Sequence, residues 1–483
     1  MDPPQAPLYF SVTPGNTASK RRRILRCPGD QQRTAAARRN LYRGAKWCAD
    51  GTAVLAQAED RSVHVLETPQ ETDRPGNDQE THQEIGSSQD TPPTPWTPTL
   101  ISRQPTPVVC STWYPSASRD SSSTYCFVTS TRDRPVRLID AGDGRCRGVY
   151  PILHNEQFIA PTCMMFSPDA SRLYAGHDSA IDVFDFARPG EGTRLKLSPS
   201  RKSKDGQKGI VSAMTFSPDA ASGMYAVGTF KGGRVSCYTE DTGDERVMEL
   251  DVGNNAQRVS GQGITQLAFH PLNPYVLFSA SRQSDYISVY DIRNPSYGPY
   301  MYLYRPGLTQ QRLGFEVDWA GRWLTTGGTD GVLRVYDVNP PVNDKPVMEH
   351  DLHTDSIGSV SLHPFKPWVL TAYGSRQPSA FERSLEDNDS TSENDDSESE
   401  NDKSDSEADQ SSESSKEVAD GEETMAVPVA AHATGALGEH GIGSKGNSVA
   451  MEGETLSTDT SSSAFGRDAG IGWIGALEVS VFY

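Results

Sequence analysis

Arginine and aromatic side chains are the residues of this chain whose types and spacing suit chemistry. Arg132, Arg282 and Arg312 follow short apolar stretches in three separate parts of the sequence, and Arg43, Lys46, Trp47, Trp113 and Tyr114 form a second group. Guanidinium donors and flat rings gathered on one surface hold phosphates and stack unpaired bases, a task that needs a local patch rather than a basic protein. Plainer readings compete. Trp47 and Trp113 stand where Phe166, Phe216 and Phe269 stand in the repeat described below, a core position. Each arginine also suits a solvated turn or an ion pair with a neighbouring Asp.

Catalysis is not indicated, and no catalytic residue, cofactor or metal ligand is assigned. Gly441-Ile-Gly443-Ser-Lys-Gly446 has the dinucleotide-loop spacing but follows no strand and opens no helix. His270 and His363 each precede Pro in different repeats and read as structural, Ser-Pro-Asp at 167 and 217 is turn chemistry, and no Cys/His spacing suits zinc.

The elements that must carry these side chains come from a repeat. Its anchors are Lys46-Trp47-Cys48-Ala49-Asp50, Thr112-Trp113-Tyr114-Pro115, Met165-Phe166-Ser167-Pro168, Thr215-Phe216-Ser217-Pro218, Ala268-Phe269-His270-Pro271, Val317-Asp318-Trp319 and Ser361-Leu362-His363-Pro364. A second half recurs in step, a turn opened by Asp60, Asp133, Asp178, Asp285 or Asp330 and then a period-2 strand, often ending aromatic-Asp. Asp at such a turn accepts backbone N–H groups and fixes the hairpin. Seven registered repeats of four strands predict an all-β fold, a seven-bladed WD40-type β-propeller, with Phe-Asp or Tyr-Asp in place of Trp-Asp.

Composition sets the boundaries. The 483 residues carry 64 acids against 45 bases, a net charge of -19, and only 35% are hydrophobic. The charge is uneven: Lys20 to Lys46 holds ten bases against Asp30, whereas Glu382 to Glu423 holds eighteen acids against three bases. The expected organisation is a disordered basic arm over 1–40, with Lys20, Arg21, Arg22 and Arg23 as a nuclear-import candidate. A propeller follows over 41–377, containing a Pro-rich disordered loop at about 68–107. Residues 378–470 read as an acidic, then Gly/Ala/Ser-rich, disordered insert in the last blade, and 471–483 as the closing strand. No apolar run suits a membrane span, and the seven cysteines, without a Cys-x-x-Cys pair, suit a reducing compartment.

Beyond the generic repeat, residues 41–377 resemble the telomerase Cajal-body protein family. The phrases that carry the likeness are Arg43-Gly-Ala-Lys46-Trp47, Thr129-Ser-Thr-Arg132-Asp133-Arg-Pro135, Ser279-Ala-Ser-Arg282-Gln-Ser-Asp285, Gln311-Arg312-Leu-Gly-Phe315 and Gly358-Ser-Val-Ser-Leu-His363-Pro364. The resemblance implies a non-catalytic scaffold that binds small nuclear or Cajal-body RNA, including telomerase RNA, and directs assembly or nuclear-body localisation of the particles. It implies ribonucleoprotein partners, a folding chaperone, a monomer, no membrane, and a location in the nucleus with a share in the cytoplasm. The eight arginine, lysine and aromatic residues above become its candidate RNA contacts. The competing reading is a protein-only WD-repeat adaptor in a nuclear complex such as the splicing machinery.

Overall fold

Strands of five or six residues with apolar side chains at alternate positions pack only as stacked sheets, and that is what this chain builds. The computed structural model describes residues 21–28, 41–68, 94–200, 202–203, 206–230, 233–243, 245–250, 263–339, 344–374 and 475–482. Among them the regular structure is strand, apart from two one-turn 3-10 segments, Ala220–Ser222 and Pro295–Tyr297.

Six four-stranded antiparallel sheets follow one another along the chain. The first consists of Tyr42–Trp47, Ala53–Ala58, Ser62–Glu67 and Leu100–Arg103. The next five open on Val108–Trp113, Cys163–Phe166, Val211–Phe216, Ile264–His270 and Phe315–Val317. These opening strands touch their counterparts in neighbouring sheets, so they are the inner strands of propeller blades. Seven such blades were expected and six are present. The last repeat enters a five-stranded sheet of mixed origin, ordered Ile357–Leu362, Trp368–Gly374, Gly475–Phe482, Arg21–Pro28 and Thr94–Pro95.

This composite sheet revises the reading of the arm. Arg21–Pro28 pairs antiparallel along Gly475–Phe482, from Arg21↔Phe482 to Pro28↔Ala476, and covers an edge that would otherwise be open. The stretch 1–40 is therefore not disordered throughout. Arg21, Arg22 and Arg23 lie in a strand, while Lys20 is outside the described residues. The Pro-rich loop is also shorter than expected. Trp96 is buried and donates its indole N–H to the Glu67 carbonyl at 2.8 Å, and Leu100–Arg103 completes the first blade. The acidic and Gly/Ala/Ser-rich stretch falls outside the described residues, between Gly374 and its pairing partner Gly475.

The core lies between sheets. Val63 and Val65 of the first blade pack with Trp113 and Phe127 of the second, and Leu333 of the sixth packs with Ile357 and Val369 of the composite sheet. Leu370 and Ala372 of that sheet then pack with Trp47 and Val54 of the first blade, so the ring closes through it.

Candidate nucleic-acid interface

Two ends of the blades must be distinguished, because they separate the candidate residues. Inner strands begin at one end, where each blade also makes the turn between its second and third strands. Their other ends lead into the anchor turns. Several inner strands begin with a bulge: register slips between Tyr42 and Gly44, Val108 and Cys110, Val211 and Ala213, Ile264 and Gln266, and Ile357 and Ser359. The skipped residue is left outside the ladder, and in the first blade it is Arg43.

The turns at this end are tied to the strand that opens their own blade. The Arg132 N–H donates to Pro107 O (3.1 Å), that of Phe230 to Ile210 O (2.8 Å) and that of Arg282 to Gly263 O (2.9 Å). Arg132, Phe230 and Arg282 thus occupy one register position in three blades. Arg282 donates to the Gln310 carbonyl at 2.7 Å, and its guanidinium lies 4.6 Å from the centre of the Phe230 ring. Arg312, from the connection into the sixth blade, reaches back to the Ser212 carbonyl of the fourth at 3.0 Å.

Arg43, Arg282 and Arg312 come within electrostatic range of one another here. Burial foremost, and then the charges of Arg312 and Arg43, lower the pKa of the Arg282 guanidinium. Arg43 pairs with Glu59 and donates to Val108 O. Among the described residues Arg282 and Arg312 have no ion-pair partner, and the buried Nε of Arg282 has no acceptor. Three cations held together with one acid between them attract an anion. Arg132 is exposed at the same blade end, in the second blade.

The other four candidates lie at the opposite end. Trp47 and Trp113 are each 7% exposed. Trp113 stacks on Tyr125 at 5.7 Å and donates to the Lys46 carbonyl at 3.0 Å, and Trp47 packs on Trp96, His363 and Trp368. Tyr114 stacks on Phe186 at 5.0 Å. Lys46 sits 3.9 Å from Glu316. The structure does not bring this aromatic group to the arginine rim; the indoles fill the core positions held by phenylalanine elsewhere.

The Asp turns divide as well. Asp60 and Asp330 accept the N–H two residues on, from Ser62 (3.1 Å) and Val332 (3.2 Å). Asp285 instead accepts from Gly307 (2.8 Å), Asp178 from the Ser179 hydroxyl (3.0 Å), and Asp133 is exposed at φ 58°. His270 and His363 each accept two N–H groups of their own anchor turn through Nδ1. Among the described residues no cluster of His, Cys, Asp and Glu could hold a metal ion.

The sequence reading missed two residues of the rim. Phe230 was overlooked, although aligning Thr229-Phe230 with Thr131-Arg132 and Ser281-Arg282 would have shown it. Arg305 is 1% exposed, and its Nη1 donates to Leu313 O at 3.0 Å, bracing the connection that carries Arg312. Nothing in its local sequence marks it as buried.

With this geometry in view, the chain is 30% identical to human telomerase Cajal body protein 1 over 354 residues, 72% of this chain and 59% of the human one. The chain is a relative of the telomerase Cajal body proteins. The Drosophila melanogaster homologue of that protein is 25% identical over 342 residues, 69% of this chain and 56% of that one. A fission-yeast protein named guanine nucleotide-binding protein negative regulator 1 is 26% identical over 350 residues, covering 70% and 80%. This chain spans about three fifths of the length of the telomerase Cajal body proteins it matches. No family model matches the sequence.

Proposed function

We propose that the protein is a non-catalytic WD-repeat scaffold that binds small nuclear RNA of the Cajal-body class through the rim bearing Arg43, Arg282 and Arg312. The single observation that carries this is the convergence of three guanidiniums, two without an acidic partner among the described residues, beside the exposed ring of Phe230. Such a patch takes the phosphates of an unpaired loop, with Phe230 and Arg132 at its margin for bases. The names of the relatives, telomerase Cajal body protein, support a place in nuclear Cajal bodies and an association with telomerase. Crosslinking in cells followed by sequencing of the bound RNA tests this: small nuclear RNAs are expected, and recovery of messenger RNA or background alone rejects it. A double variant, Arg282→Ala with Arg312→Ala, is expected to lose most RNA affinity with only a small fall in melting temperature, the share of two hydrogen bonds to carbonyls.

A protein-only adaptor is the second reading. It is favoured by a cavity at the other end of the blades.

A further inference from the structure

Where the inner strands of the sixth blade, the composite sheet and the first blade end, they enclose a cavity of about 520 Å³. Its walls include Trp47, Glu316, Asp318, Trp319, Phe365 and Trp368. Trp319 is 47% and Phe365 52% exposed, so the wall presents two large rings in one lining. Trp47 contributes a sharper feature. The equivalent indole in the next blade, Trp113, donates to a carbonyl at 3.0 Å, whereas the buried Trp47 Nε1–H has no acceptor among the described residues. A buried donor left unpaired costs about 1–3 kcal/mol, which an incoming carbonyl would relieve.

Charge narrows the ligand. Glu316 accepts from the Leu362 N–H, and among the described residues its one cationic partner is Lys46 at 3.9 Å, whose side chain is 69% exposed. Burial raises the Glu316 carboxyl pKa despite that lysine, and Asp318 is raised by burial as well. Lys366 already occupies the Trp368 face, 4.3 Å from its ring centre. Asp318 is engaged by the Arg322 and Trp323 N–H groups at 2.7 Å each, which leaves Glu316 as the carboxylate the wall offers, and a guanidinium both stacks on exposed rings and pairs with a carboxylate.

We infer that this cavity is a peptide-binding site for an arginine of a partner protein, laid against Trp319 and Phe365 with its charge on Glu316 and a main-chain carbonyl on Trp47 Nε1. The site lies at the opposite blade ends from the arginine rim, so the scaffold would hold RNA and a protein partner at once. The inference stands on its own observations and survives if the rim binds no RNA.

The test uses the full chain and pools of randomised heptapeptides fixed at the centre as Arg, Lys, citrulline or Glu. The Arg pool is expected to be retained over the citrulline and Glu pools. Glu316→Gln keeps an acceptor for the Leu362 N–H and removes the charge, and it should weaken Arg-pool binding about tenfold. Trp319→Ala and Phe365→Ala alter exposed rings and should do the same without lowering the melting temperature. Single-stranded RNA binding should be unchanged in all three variants. Equal retention of the citrulline pool, no retention of any pool, or a Glu316→Gln protein that binds like the parent overturns the proposal. Loss of RNA rather than peptide binding in Trp319→Ala does so too.

Discussion

His363 has to stay neutral. Its Nδ1 accepts from Phe365 and Lys366 at 3.0 Å each, and its ring lies against Gly51, where a Cβ would come within 2.3 Å. Burial first, then the charge of Lys366, push its pKa from 6.5 down to about 4. A base whose folded pKa is depressed stabilises the fold above its unfolded pKa, and that stability drains as pH falls from 6.5 towards 4. The loss amounts to about 3 kcal/mol at most. Thermal melts between pH 7.5 and 4 should show it, and His363→Gln should start lower at pH 7.5 and fall less steeply through this window. Arg305 presents the reverse problem, a buried cation whose pKa burial lowers to about 10. Arg305→Met leaves Leu313 O without its donor and should cost about 1–3 kcal/mol in a denaturant melt. RNA affinity measured on the same protein should fall as well, because the freed connection carries Arg312.

Elements were read well where one repeat could be laid on another, and poorly where the chain broke the pattern. The alternation Ile181-Asp-Val183-Phe184 or Leu333-Arg-Val335-Tyr336 signals a strand from its own residues, and both became third strands of blades. Arg21–Pro28 offered no such signal. Three consecutive arginines read as a solvated arm, and only the distant edge of Gly475–Phe482 makes them a strand. Trp96 was lost among prolines for the same reason, since its partners Trp47 and Glu67 lie far back in sequence. The arginine rim was half legible. Repeat position marked Arg132, Arg282 and Arg312, but which of them converge depends on the bulge at Arg43 and on Arg312 reaching back to Ser212. If Arg21–Pro28 stabilises the composite sheet, removing residues 1–28 should cost roughly 3 kcal/mol or more from lost backbone pairing. The same deletion should expose Gly475–Phe482 to limited proteolysis, and an unchanged melting curve with unchanged cleavage would reject that role.

At the scale of the whole molecule, a net charge of -19 opposes any polyanion, yet the rim gathers cations. The conflict is resolved by distance. At physiological salt a charge acts over about 8 Å, so an RNA seated on Arg43, Arg282 and Arg312 senses them far more than acids elsewhere. Binding should therefore depend weakly on salt. With a contribution of about 0.7 for each phosphate neutralised on a single strand, three arginines give a log–log slope near -2. Arg282→Ala with Arg312→Ala should flatten it towards -0.7, with only a small fall in melting temperature, because each side chain gives up one hydrogen bond to a carbonyl outside the deep core and no ion pair among the described residues. Titrations of a short single-stranded RNA from about 50 to 300 mM salt measure both slopes. A parent slope steeper than about -5 would mean that other basic residues, such as those in the Lys20 to Lys46 stretch, carry the phosphates, and that the three-arginine rim is not the principal site.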